Sequence, residues 1–366
     1  MKPMIALVVF AAAAFACSEP ASSPAPAPQA APAPEAAPAA PAGPDRAALR
    51  ARANQILGSL PDEAVSETNP VTEAKITLGR MLYYDTRFSK AQQISCNSCH
   101  GLATSGVDGE PTSAGHRGQR GARNSPSVYN AAFHVAQFWD GRAADVEAQA
   151  KGPVLNPIEM AMPDEAHVIT VLRSIPGYAP LFQAAFPGQK DPISYDDFAR
   201  AIGAFERRLV TSDRFDAFLE GNDAALTDTE VAGLEAFLDT GCTTCHMGPT
   251  VGGKLFQKIG LVEPYPTTDV GRFEVTKNEA DRQVFKVPSL RNVEKTGPWF
   301  HDGSITTLDD AIRKMARYQL GKQLDDAQVA SLHAFLASLT GSADAAYIAV
   351  PELPPSGPDT PAPDPS

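Results

Sequence analysis

Apolar positions recur at helical spacing through most of the chain. Residues 46–60 are rich in alanine and leucine, and in 71–84 Ile76, Leu78, Leu82 and Tyr83 follow a broadly helical pattern. Segments 143–150 and 165–174 read as helices, and 196–210 as a longer one whose apolar face is Phe198, Ile202, Phe205 and Leu209. Thr227-Asp228-Thr229-Glu230 offers an N-cap with a glutamate at the third following position. Val231, Leu234, Phe237 and Leu238 then share one face. Two amphipathic helices, 307–320 and 325–339, close the pattern, the second with Val329, Leu332, Leu336 and Leu339 on one side. The stretch 251–288, rich in glycine, proline and polar residues, reads as loop. No alternating β-branched run is long enough to predict a sheet. The pattern predicts an all-α protein.

The two ends depart from it. Residues 1–16 carry one lysine, Lys2, and an apolar run from Ile5 to Phe10, which predicts a secretory signal. Residues 17–44 follow as a Pro/Ala-rich tether, with nine prolines between Ser18 and Pro44. The last segment, 351–366, holds seven prolines and is expected to be a disordered tail. The folded part is then 45–350 of the 366 residues, long enough for two domains.

Charge and cysteine usage narrow the chemistry. The net charge of −12 argues against a nucleic-acid partner and suits steering of a basic redox partner. Four of the five cysteines fall in two C-x-x-C-H motifs, Cys96-Asn97-Ser98-Cys99-His100 and Cys242-Thr243-Thr244-Cys245-His246. This is the attachment signature of a c-type haem: both sulfurs reach one edge of the porphyrin, and the histidine offers its imidazole to the iron. A zinc site would want its second pair nearby, and a disulfide would leave both histidines unexplained. Each motif follows a predicted helix, which points to a doubled cytochrome c unit with two covalent haems. The fifth cysteine, Cys17, ends Ala14-Phe15-Ala16-Cys17. It fits a lipoprotein box, so a lipid anchor in the periplasm is expected, alongside the simpler reading of an A-x-A cleavage site.

A six-coordinate iron needs a second ligand, and a thioether raises the potential where a second imidazole lowers it. The histidine candidates are His116, His134, His167, His301 and His333. The methionines are Met81, Met160, Met162, Met247 and Met315, with Met247 too close to His246 to reach the opposite face. Spacing alone does not choose among them.

At this point the chain resembles a known family, the bacterial di-haem cytochrome c peroxidases. The resemblance runs from Thr72 to about Pro354. It rests on both haem motifs and on Gly121-Ala122-Arg123-Asn124-Ser125-Pro126, Ala136-Gln137-Phe138-Trp139-Asp140-Gly141-Arg142, Gln149-Ala150-Lys151-Gly152-Pro153 and Val287-Pro288-Ser289-Leu290-Arg291-Asn292-Val293. It implies two cytochrome c-like domains, 45–209 for haem 1, the peroxide site, and 210–350 for haem 2, the electron-entry site. Haem 1 would be held by Cys96, Cys99 and His100, with His116 as a displaceable distal ligand on the loop 113–123. Gly115, Gly118 and Gly121 would suit that loop to a hinge. Haem 2 would be held by Cys242, Cys245 and His246, with Met315 as distal thioether. Glu159 would be the acid–base group for peroxide cleavage, Gln149 would position the peroxide, and Trp139 would conduct electrons between haems. One calcium ion would be bound by the Asn124 side chain and the carbonyls of Thr296 and Pro298, and His301 would sit near the haem 2 propionates. The implied donor is a small cytochrome c or copper protein, the acceptor is hydrogen peroxide, and the implied assembly is a homodimer.

Two rivals follow from the same residues. A di-haem electron carrier would make no use of Gln149 and Glu159. A tryptophylquinone maturase would use a tyrosine where this chain offers Met315, and Tyr318 stands one turn away.

Overall fold

Short polar side chains start the helices that the apolar periodicity predicts. Thr72, Ser194, Thr227, Thr307 and Asp325 each accept a hydrogen bond from a backbone N–H in the turn that follows. At Thr227 the reciprocal bond is also made, the Glu230 carboxylate accepting from the Thr227 N–H at 2.8 Å.

The computed structural model describes the chain without a break from Asp45 to Ser366. Before Asp45 only Val8, Val9, Ala11, Ala13, Ala14 and Ala16 are described, so the expected signal and tether, with Cys17, lie outside the described residues. Among the described residues the helices are α1 (Arg46–Ile56), α2 (Glu73–Tyr84), α3 (Cys96–Cys99), α4 (Val146–Leu155), α5 (Glu165–Ser174) and α6 (Tyr178–Ala185). They continue with α7 (Tyr195–Glu206), α8 (Arg214–Leu219), α9 (Asp228–Thr240), α10 (Phe273–Thr276), α11 (Leu308–Leu320) and α12 (Asp326–Ser338). The region read as loop contributes one small antiparallel pair, β1 (Phe256–Lys258) with β2 (Val284–Lys286). The all-α expectation is met, although α6 and α8 had no counterpart in the sequence pattern.

Two cores form, one for each haem motif. Helices α2, α4, α5, α6 and α7 enclose the first, around Leu78, Tyr83, Phe198 and Phe205. The second gathers α1, α8, α9, α11 and α12 around Phe215, Leu234, Phe237 and Phe335. The same crossing braces both. A Cβ on Gly79 of α2 would stand 1.9 Å from the Ala201 carbonyl oxygen of α7, with Phe205 packed one turn on. A Cβ on Gly233 of α9 would stand 1.9 Å from the Ser331 carbonyl oxygen of α12, with Phe335 one turn on. Glycine here lets two backbones touch, and the phenylalanine fills the space beside them. That repeated joint is the structural form of the doubling seen in the motifs.

The chain ends exchange places, which departs from the expected boundaries. Helix α1, assigned by sequence to the first domain, packs into the second core through Leu49, Ala53 and Leu57. Arg46 and Arg52 pair with Asp228 and Asp239 of α9. At the other end, Ala343, Tyr347 and Ile348 pack on the first core, where Tyr347 stacks on Phe205 with ring centroids 5.1 Å apart. The segment 351–366, expected to be disordered, is likewise laid along the first core. Gln92 Nε2 donates to the Pro361 carbonyl at 2.7 Å, the Asp364 N–H donates to the Lys90 carbonyl at 2.9 Å, and Thr360 meets Ser174. Proline-rich chain cannot bury a core of its own, but its carbonyls accept hydrogen bonds from a neighbouring surface.

Gly79→Ala and Gly233→Ala are each expected to cost about 1–3 kcal/mol by forcing the helices apart. Thermal unfolding of the two variants checks this, and the same substitution at Gly121, which has open space and no left-handed φ, serves as the control.

Candidate haem centres

The second motif opens where α9 ends. Gly241 caps the helix in a left-handed conformation, φ 101°, and turns the chain straight into Cys242. His246 is held with its Nδ1 3.4 Å from the Val251 carbonyl. An Nδ1–H aimed at a carbonyl leaves Nε2 as the lone pair for a metal. Burial pushes this imidazole down to about 4, so it stands neutral, the form that ligates. Cys242, Cys245 and His246 line a cavity of about 1830 Å³, counting the space at its mouth, together with Trp139, Met315 and Asn124. Its walls are mostly apolar, as a large planar group requires. Free thiols, a neutral imidazole, a thioether and apolar walls form the donor set of a c-type haem. Tyr318 is absent from that lining and packs edge-on against Tyr265, so Met315 is the residue facing the site.

The first motif is built on a one-turn helix, α3, closed by Ser95 and Ser98 capping each other's backbone. His100 Nδ1 lies 3.0 Å from the Pro126 carbonyl and 3.1 Å from Ser125 Oγ, again leaving Nε2 for iron. Tyr83 of α2 anchors the turn, its hydroxyl donating to the His100 carbonyl at 2.6 Å. Burial lowers the His100 pKa and raises that of Cys96 well above the thiol range, so the unattached cysteine is a buried neutral thiol.

The loop that carries His116 is fastened to the segment that carries Glu159. The His116 N–H donates to the Glu159 carbonyl at 2.7 Å, and a Cβ on Gly115 would stand 2.0 Å from the Ile158 carbonyl oxygen. Gly115 therefore serves close approach, whereas Gly118 and Gly121 face open space. His116 itself is buried, with Nε2 3.0 Å from the Ser366 main-chain oxygen, so the tail reaches the nitrogen that iron would use. Burial raises the Glu159 carboxyl above the ordinary range, opposed by the Arg142 charge and by Asn156, whose Nδ2 donates to Glu159 Oε1 at 3.0 Å. Gln149 is half-buried on α4, the helix that leads into Asn156. Ser113 Oγ is buried without a partner on the same loop.

Trp139 belongs to the chain between the motifs yet stands in the wall of the second cavity. Its Nε1–H donates to the Asn124 carbonyl at 2.9 Å, and it meets His301 edge-on at 6.4 Å. Asn124, Thr296 and Pro298 line that same cavity. Asn124 Nδ2 donates to the Glu110 carbonyl at 3.0 Å, which turns Oδ1 outward as the acceptor a hard cation requires. The other histidine candidates are accounted for differently. His333 pairs with Asp309 at 2.5 Å on α12, and His134 meets Lys286.

Sequence reasoning passed over the ionic groups around these sites. Arg123 ties the halves together by pairing with Asp140 at 2.5 Å and with Asp269 at 2.7 Å. Glu206 of α7 is 5% exposed beside Cys96, and burial, reinforced by Glu147 and opposed by Arg207, pushes its carboxyl up to about 8. Neither residue carries a motif, and no spacing marks them.

The comparisons with known proteins agree with this geometry. The sequence profile of the family described as di-haem cytochrome c peroxidase matches residues 73–224. The chain is 43% identical over 323 residues to the cytochrome c551 peroxidase of Pseudomonas aeruginosa, covering 86% of this chain and 92% of that protein. It is 44% identical over 317 residues to the cytochrome c551 peroxidase of Nitrosomonas europaea, covering 86% and 93%. Among solved structures, a MauG-like protein associated with microbial copper homeostasis superposes with a TM-score of 0.71 at 30% identity, over 80% of this chain and 97% of that one.

Glu206 sets a pH dependence of stability. Its folded pKa of about 8 stands above the ordinary 4.5, so its contribution is fully present below about 4.5 and is lost as pH rises toward 8. The loss is about 1.4 kcal/mol per pH unit in that window. Glu206→Gln removes this slope. Urea unfolding of the holoprotein at several pH values is expected to show the variant gaining on the wild type as pH rises, with no such gain above about pH 8.

Proposed function

The chain belongs to the di-haem cytochrome c peroxidase family, and from that premise we propose that it reduces hydrogen peroxide to water. Two electrons are taken one at a time from a small c-type cytochrome or a copper protein. The observation that carries the reading is the hydrogen bond from His116 to the Glu159 carbonyl, which puts a displaceable ligand and a buried carboxyl on one connected backbone.

The two covalent haems supply the iron that binds peroxide and the path that brings electrons. Cys96, Cys99 and His100 hold the first, and Cys242, Cys245, His246 and Met315 the second. The Glu159 carboxylate takes the proton from the inner peroxide oxygen and returns it to the outer one, which leaves as water. The overall reaction takes up two protons and two electrons for each peroxide and yields two waters. Asn156 keeps the carboxylate oriented for both transfers, and burial raises its affinity for the proton between them. The Gln149 amide positions the peroxide. Trp139 carries electrons from the second site toward the first. His116 would have to withdraw for peroxide to reach the first haem, and its Nε2 has a partner for that position in the Ser366 main-chain oxygen, 3.0 Å away. One nitrogen cannot serve iron and the tail together.

Calcium belongs to the same reading, on Asn124 Oδ1 and the carbonyls of Thr296 and Pro298, where it would brace the loop behind Trp139. So does export to the periplasm, because c-type haem is attached beyond the cytoplasm. An acylated Cys17 would use the one cysteine left over by the haem motifs. A homodimer rests on resemblance to the family.

The test is peroxide turnover by the holoenzyme in calcium, first fully oxidised and then with one electron added. Turnover only after half-reduction, with the first haem becoming high-spin, is the expected result. Turnover without reduction would keep the peroxidase and remove the His116 gate. Absence of turnover in both states, with both irons low-spin, would overturn the enzyme reading. Glu159→Gln is expected to lower kcat by about 10²–10⁴-fold while the visible spectra and both midpoint potentials stay as in the wild type.

A further inference from the structure

One wall of the cavity behind the second motif carries a positive charge that no acidic side chain among the described residues pairs with. Lys286, the last residue of β2, is 5% exposed and lines the cavity. Among the described residues it forms no ion pair, and its Nζ meets His134 Nδ1 at 3.1 Å. Lysine can only donate, so His134 accepts at Nδ1 and carries its own proton on Nε2. That Nε2–H is also buried and has no hydrogen-bond partner. Lys254 adds a second cation on the far side, its Nζ donating to the Phe133 carbonyl at 2.8 Å.

The Lys286–His134 pair therefore presents only donors. An ammonium withdrawn from water is costly unless an anion or several acceptors meet it, and an orphaned N–H adds to that cost. Burial lowers Lys286 only to about 8, so it is still charged at neutral pH. A carboxylate delivered from outside the chain would meet the protons that Lys286 Nζ does not spend on His134. A haem bears its carboxylates on propionate arms, at the edge away from the thioether attachments.

We propose that Lys286, oriented by His134, binds a propionate of the second haem, and that Lys286 biases that haem's iron toward its reduced state. This rests on the reading that the second haem fills the cavity at Cys242 and Cys245. A fixed positive charge beside the porphyrin edge favours the state with one more electron. His301, buried with an unpaired Nδ1, lines the same cavity and is held separately, by Thr267 on its other nitrogen and by Phe285 stacked on its ring.

The test uses the holoenzyme with Lys286→Met and Lys286→Arg. Mass of the haem peptides first establishes that both haems are attached, then spectroelectrochemistry reads the second haem across pH. In Lys286→Met the Fe(III)/Fe(II) balance is expected to move about tenfold toward Fe(III), which is about 59 mV for one electron. The potential should also acquire a rise toward low pH that the wild type lacks, because a propionate without its cation takes up a proton more readily. His134 loses the Lys286 charge that helps hold its pKa down, so Lys286→Met is also read in a His134→Gln background. Lys254 and His301, with Asp269, Asp302 and Arg123 around it, are common to both proteins. Lys286→Arg should retain the wild-type potential and profile.

A Lys286→Met protein with both haems and an unchanged potential and pH profile would overturn the proposal. If Lys286→Met loses the second haem while Lys286→Arg keeps it with the native potential, the need for a cation is upheld. Loss in both variants would assign Lys286 to packing and overturn the site. A wild type lacking haem at Cys242 and Cys245 would be a different failure, of the parent reading, and would take this proposal with it.

Discussion

Each haem site depends on a buried imidazole that must offer iron one nitrogen and no proton. The chain meets this by tying Nδ1 to a backbone carbonyl, Pro126 for His100 and Val251 for His246. Those carbonyls lie in loops, and loops hold position only where something rigid stands behind them. Behind them are the two crossings at Gly79 and Gly233, where helix backbones touch and cannot slide. Tyr83 makes the connection explicit in the first half: it comes from the same helix as Gly79 and its hydroxyl fixes the His100 carbonyl. Packing thus sets the tautomer, and the tautomer sets the coordination.

The exchange of chain ends adds a constraint between the halves. With α1 in the second core and residues 343–366 on the first, neither half is a contiguous piece of sequence. Arg123, paired with Asp140 and Asp269, adds a partly buried link between them. Such a pair contributes through the cost of breaking it more than through net attraction. Electron transfer between two fixed centres benefits from that rigidity.

What the sequence revealed follows from the range of its signals. Periodicity and caps are local, so α2, α7, α9 and α12 could be read from their apolar faces and from residues such as Thr227 and Glu230. The haem motifs are local as well. Met315 could be named only through resemblance to a family, because the methionine and its iron are brought together by the fold. Helix α6 was hidden by Pro180 near its start, and the tail was misjudged because its composition describes what it can bury alone and not what it can lean on. Lys286, His134 and Glu206 left no trace in spacing, since burial of a single charge is a property of three dimensions.

The buried groups beside the two motifs differ in charge type, and the proposed chemistry depends on that difference. Beside the first motif lie acids, Glu159 and Glu206, both with raised proton affinity. Beside the second lie cations, Lys286 and Lys254, with His134 between them. A cation at the second site stabilises an electron there, and an acid at the first takes up a proton as negative charge arrives. On the proposed reading, an electron from the donor would be held at the second site, and only the first site would offset a further electron with a proton. Reversing the signs would draw the first electron to the peroxide site before any peroxide had arrived.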